Sequence, residues 1–156
     1  MFTRCLQLDF GTKPLSDQSS DEASDADFGS GGAAILVNAG PVAHLAVGGG
    51  KDAALYVLNR DNLGHLGDAN AVQKISAGNS IFSTAAFWQN TLYLAPAGGA
   101  LRTYPLNLAT NMFGATSSQT STSLGWPGST PSISSQGTSK ESSGESQTIH
   151  QRCCTR

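Results

Sequence analysis

The sequence predicts an all-β fold, a partial β-propeller of four-stranded antiparallel blades, from three observations. Short runs of apolar or β-branched residues recur along most of the chain, each closed by Gly, Pro, Asn or Asp, as strands between tight turns are. Composition agrees: 18 glycines, with charged residues at 13% and aromatic residues at 7%, suit turn-rich β-structure better than a helical bundle. The pattern also repeats. Ser83-Thr84-Ala85-Ala86-Phe87 resembles Ser129-Thr130-Pro131-Ser132-Ile133, and Leu55 in "DAALYVLN" matches Leu101 in "GALRTYPLN"; both offsets are 46 residues (129 − 83 and 101 − 55). Leu45 and Leu92 also match, with one residue of slip assigned to the glycine turn. A period near 40–50 residues with about four strands per unit is the blade pattern.

The elements follow in order. Residues 1–28 contain "CLQLDF", an alternating strand with Leu6, Leu8 and Phe10 on one side, and then the acidic, serine-rich "SDQSSDEASDAD". They are read as the end of a preceding blade plus a loop. Residues 29–80 form a blade, with strands around "GGAAILV", "HLAVGGG", "AALYVLN" and "AVQKIS". Residues 81–127 form the next. Its inner strand is "STAAFW", followed by "TLYLAP", a glycine turn, "ALRTYPLN" and a polar outer strand in "ATSSQTS". Small residues suit the inner strand, where blades crowd at the axis, and a solvated outer strand can be polar. Residues 128–137 supply the first strand of a further blade. Residues 138–156, ending "SKESSGESQTIHQRCCTR", do not fit the repeat and are read as a disordered tail translated out of frame from a truncated gene. The chain then holds about two and a half blades. Apolar faces and strand edges would be left open, so marginal stability or self-association through those edges is expected.

The segments "DADFGSGGAAILV", "LAVGGGKDAALYVLNRDNLG" and "GWPGSTPSIS" resemble the bacterial quinoprotein-like β-propellers, the pyrroloquinoline-quinone-like repeat proteins, over roughly residues 5–137. The turn Gly-Gly-Lys-Asp followed by Leu-Tyr-Val-Leu-Asn-Arg-Asp-Asn carries most of the likeness. The resemblance implies an exported scaffold, with eight blades in a whole protein and no assigned activity in many members. This chain lacks the tryptophan-docking repeat of the true quinoprotein dehydrogenases. It also shows no signal peptide, since "MFTRCLQLDFGTKP" has no apolar core of that kind.

Motifs that carry chemistry are sparse. "GGGKD" (Gly48 to Asp52) is not a phosphate loop, because Leu45 stands where the first Gly belongs and Asp52 where Ser or Thr follows the Lys. It reads as the hairpin turn between the second and third strands. Asp17, Asp21, Glu22, Asp25 and Asp27 lack the spacing of a calcium loop and read as a solvated loop. His44 and His65 have no ligand pattern around them. Cys5, Cys153 and Cys154 fit neither a disulfide framework nor a zinc site. No Gly-x-Ser-x-Gly or His-Glu-x-x-His occurs. Trp88 and Trp126 read first as packing between blades, with stacking on a sugar or flat cofactor as the rival use.

A formal net charge of −2 offers nothing to nucleic acid or an anionic membrane, and no apolar run has the length of a membrane span. The function expected is a binding or scaffold module without catalytic residues, metal or cofactor of its own. Two rivals stand beside it. One is part of a quinone-dependent alcohol or sugar oxidoreductase, which needs a calcium site. The other is a carbohydrate or cell-surface interaction module.

Overall fold

The computed structural model describes residues 28–36, 44–63, 71–133 and 149–151. Strands β1 (Ala34–Ile35), β2 (Leu45–Gly49), β3 (Ala54–Asn59) and β4 (Gln73–Ser76) form one antiparallel sheet in chain order. A second sheet repeats the plan with β5 (Ala86–Trp88), β6 (Thr91–Leu94), β7 (Ala100–Asn107) and, outermost along most of β7, β9 (Ser118–Ser123). The short β8 (Met112–Phe113) pairs with the far end of β7. Strand β10 (Pro131–Ile133) pairs with β11 (Ile149–Gln151). The described residues are therefore all-β and antiparallel, with a single 3-10 turn (Phe28–Ser30) and no α-helix.

Local chemistry sets the strand limits. Both long strands end in Leu-Asn, where the Asn side chain accepts an N–H from two residues on: Asn59 Oδ1 from Asp61 at 3.0 Å, and Asn107 Oδ1 from Ala109 at 2.9 Å. This Asx turn offers the backbone a substitute for the ladder and stops the strand. Between β2 and β3, Asp52 Oδ1 accepts from the Ala54 N–H at 3.3 Å, and Ala53 takes a left-handed φ of 59°. At the inner strand, glycine is required by space. A Cβ on Gly31 would lie 2.8 Å from Ile81 and 2.9 Å from the Gly49 carbonyl oxygen.

The two hairpins share one register. Ala46 faces Leu58, Val47 faces Val57, and Gly48 faces Tyr56. Adding 46 to each number gives Leu92 opposite Tyr104, Tyr93 opposite Thr103, and Leu94 opposite Arg102, which are the observed pairs. The one-residue slip read between Leu45 and Leu92 is absent. Leu45 corresponds to Thr91, and Leu92 corresponds to Ala46 on the opposite face of its sheet.

That face assignment determines the packing. Side chains alternate across a strand, and directly opposed residues share a face. Leu45, Val47, Leu55 and Val57 occupy one face of the first sheet, and they pack against Leu92, Leu94, Tyr104 and Leu106 of the second. The latter are not the ladder equivalents of the former. The equivalents, such as Tyr93 and Leu101, lie on the far face of the second sheet, in a separate cluster with Ala95, Trp88, Leu124 and Ile133 of β10. The sheets thus stack front to back. Both faces of β6 and β7 carry buried residues, and Ile133 of β10 packs on the far one. Full burial of each large aliphatic side chain at these contacts stabilises by about 1.5–3 kcal/mol.

Polar bonds lock the stack. Gln73 spans from β4 to Phe113, its Nε2 donating to the Phe113 carbonyl at 2.9 Å and its Oε1 accepting from the Phe113 N–H at 2.7 Å. Arg102 Nη1 donates to the carbonyl of buried Ala77 at 2.7 Å. Within the segment read as a disordered tail, Ile149–Gln151 is strand, and the rest of 138–156 lies outside the described residues.

Candidate functional site

An antiparallel meander collects its connections at two ends. One end holds the β2–β3 turn, the 77–85 connection, the β6–β7 turn and the 124–130 connection. These segments are stitched together by backbone bonds. Ile81 N–H donates to Gly50 at 2.9 Å, Ala97 N–H to Ser80 at 2.9 Å, and Gly98 N–H to Gly125 at 2.7 Å. Ser80 Oγ donates to the Lys51 carbonyl at 2.9 Å, and buried Ser83 Oγ to the Ala95 carbonyl at 3.1 Å. This end is a rigid platform, and the residues that could meet a ligand sit on it.

Phe82 and Trp126 come from successive sheet-to-sheet connections and meet edge to face, with centroids 5.7 Å apart at 61°. Trp126 is 78% exposed, the most exposed large hydrophobic residue among those described. Its position is fixed from below. Gly128 N–H donates to Gly125 at 3.0 Å, and a Cβ on Gly128 would lie 2.6 Å from the Ala95 carbonyl oxygen. Trp88 is half-buried and packs against the Tyr93–Leu101 cluster, mostly of its own sheet, whereas Trp126 faces solvent where packing was expected. The cause is local: Gly125 and Gly128, both at positive φ, turn the loop outward around it.

Beneath the Gly-Lys-Asp turn lies a polar group that sequence reasoning did not single out. Tyr56, fully buried, donates its hydroxyl to Asp52 Oδ2 at 2.8 Å, while the Lys74 ammonium stands 5.0 Å from the Tyr56 ring centroid. Burial raises the Tyr56 pKa far above the ordinary value near 10; the Asp52 carboxylate adds to the rise and Lys74 opposes it. This buried hydroxyl, bonded to Asp52, braces the turn. The Gly48–Asp52 segment is accordingly a hairpin corner, as its residues predicted.

At the opposite end, exposed His44 and Asp61 pair, with Nδ1 2.8 Å from Oδ2 and 2.9 Å from Oδ1. A hydrogen-bonded pair so open to water contributes about 0–1 kcal/mol. Among the described residues, no three His, Cys, Asp or Glu side chains gather as a metal site. His65, the acidic group Asp17, Asp21, Glu22, Asp25 and Asp27, and Cys5, Cys153 and Cys154 lie outside the described residues. No helix among the described residues is long and apolar enough to cross a membrane.

Comparison with protein-family models, with curated proteins and with solved structures returns no match.

Proposed function

We propose that this chain is a non-catalytic scaffold module, a stretch of a quinoprotein-like β-propeller whose units present loops at one end. One observation carries the reading: two sheets with identical hairpin register stack front to back, 46 residues apart. In an ordinary two-sheet sandwich the inner faces meet and the outer faces are solvated. Front-to-back contact is instead open-ended, because each unit buries its neighbour with a different face. The short inner strands β1 and β5 are led in by small residues packed so closely that Gly32 abuts Thr84, which suits units that converge on an axis. The membership in the quinoprotein-like group rests on the sequence resemblance.

The repeat-mates Leu55 and Leu101 test this reading. Both are buried, one on each of two equivalent faces. In a repeat stack, Leu55→Ala and Leu101→Ala each cost about 2–5 kcal/mol in urea unfolding. A cost for Leu101→Ala below about 1 kcal/mol, the level of an outer solvated face, would sink the stack. For the oxidoreductase rival, the measurement is the quinone absorbance after incubation with calcium. The scaffold reading expects the spectrum of the free quinone, and a bound spectrum would replace it with the enzyme reading.

A further inference from the structure

We propose that Trp126, backed by Phe82, is a stacking surface for a neutral pyranose ring. Three observations converge. The indole is 78% exposed, yet the loop that carries it is held by the Gly98 and Gly128 bonds to the Gly125 carbonyl. A large amphipathic ring presented to water beside a second aromatic, on a loop held by backbone bonds, offers a flat apolar face with a polar N–H edge to a partner. Phe82 supports it edge-on at 5.7 Å, so little side-chain freedom is left to lose on binding.

The surroundings select the ligand class. The same end of the sheets presents small polar groups, including exposed Asn79 and Thr130, which suit the hydroxyls at a sugar's rim. Its described cations, Lys51, Lys74 and Arg102, outnumber Asp52, but each has a place of its own: Lys51 stands next to Asp52 in the turn, Lys74 lies over the Tyr56 ring, and Arg102 is engaged by the Ala77 carbonyl. A phosphate or polycarboxylate ligand would need converging cations, preferably bidentate arginine. A sugar needs only a flat apolar face and neutral hydrogen-bonding groups. The site is complete within this chain and does not require a closed ring of blades.

The two tryptophans allow a self-controlled test. The indole N–H resonances of Trp126 and Trp88 are followed in a nitrogen–proton NMR spectrum of the full chain during titration with cellotetraose. The Trp126 signal should shift and saturate with a Kd of the order of 1 mM, while packed Trp88 stays still. Trp126→Ala should abolish the accompanying shifts of Gly125 and Gly128 amides, with the Trp88 signal reporting an intact fold; Trp126→Phe should keep a weaker response. No shift by roughly 20 mM sugar, or equal movement of Trp88, overturns the proposal. So does a saturable Trp126 shift with pyrroloquinoline quinone in place of the sugar. The scaffold reading fails on different grounds, the energetics of Leu55 and Leu101, so the two outcomes are separable.

Discussion

On the face that the first sheet turns to the second, β2 and β3 carry Leu45, Val47, Leu55 and Val57. At the same ladder positions β6 and β7 carry Thr91, Tyr93, Leu101 and Thr103. The outer strands differ as well: Gln73 and Ile75 of β4 are half-buried, whereas all six residues of β9 are exposed. Two hairpins thus hold one register with quite different side chains. Register is therefore not a product of matching side chains. It comes from the turn between the paired strands and from one apolar stripe per face, since a slip by one residue would turn each stripe to the wrong side. The outer strand of the second sheet is freer, because β9 is exposed along its whole length, whereas Ile75 of β4 packs on the core.

The junction at Gln73 offers the largest way to break this equivalence apart from the core leucines. Gln73 reaches from the first sheet to both backbone groups of buried Phe113. Gln73→Ala leaves that N–H and carbonyl without their partner, at about 1–3 kcal/mol for each group. Urea unfolding should show the loss, and hydrogen exchange should show the Phe113 amide losing protection first. A Gln73→Ala variant as stable as the parent would mean that the sheets are joined by apolar contact alone.

A smaller effect distinguishes the ladder-mates Tyr56 and Arg102. Both stand on the same face of their sheets with a polar tip at a connection: Tyr56 holds Asp52, and Arg102 holds the Ala77 carbonyl of the preceding sheet. Arg102→Met should cost about 1.5–3 kcal/mol, since a charged donor leaves a buried acceptor unpaired. Tyr56→Phe should cost about 1 kcal/mol and also change the pH profile. Below the ordinary tyrosine pKa near 10 both states keep the proton, so the contribution is fully present there. Above it the unfolded chain ionises while native Tyr56 stays protonated, and stability falls as pH rises. Melting followed from pH 8 to 11 (roughly) should show this decline in the parent. The decline should be shallower in Tyr56→Phe, with a remainder from Tyr93, whose pKa burial also raises. A parallel decline in both proteins would remove Tyr56 from the account.

How far the sequence revealed these features follows from the kind of signal each leaves. The all-β class and the 46-residue period were legible, because strand runs, Leu-Asn stops and glycine turns are local and repeat along the chain. The stacking direction was not. Leu45 and Leu92 look alike in sequence, and the true correspondence of Leu45 with Thr91 appears only when both strands of each hairpin are paired. Gln73 and Phe113 lie 40 residues apart, and nothing local marks them as partners. The candidate site was half legible. Trp126 stands out as a tryptophan in a glycine turn, but its outward direction depends on Gly125 and Gly128 taking positive φ. Phe82 lies in a connection without periodicity, so its role as the support of Trp126 left no pattern to read.

The turn that sets the register also provides the smallest test. Ala53 adopts φ 59°, a left-handed conformation that costs an L-residue with a Cβ about 1–2 kcal/mol. The β6–β7 turn avoids this cost, since its positive-φ residue is Gly98. Ala53→Gly should relieve the strain and lose part of the gain to the greater freedom of glycine in the unfolded chain. The expected net is stabilisation of about 0.5–1 kcal/mol, read as a higher urea midpoint with an unchanged slope. Gly98→Ala in the other hairpin should move stability the opposite way by a similar amount, because no neighbouring atom obstructs a Cβ there and only the backbone conformation resists it. The corners place their left-handed residue one position apart, since Ala53 is the ladder equivalent of Gly99 and Gly98 that of Asp52. Opposite signs would show that each corner's own backbone conformation, and not a shared turn geometry, decides whether a side chain is tolerated there. If instead Ala53→Gly destabilises, the Asp52 bond to the Ala54 N–H is what holds the first corner, and alanine's restriction of the unfolded chain outweighs its strain.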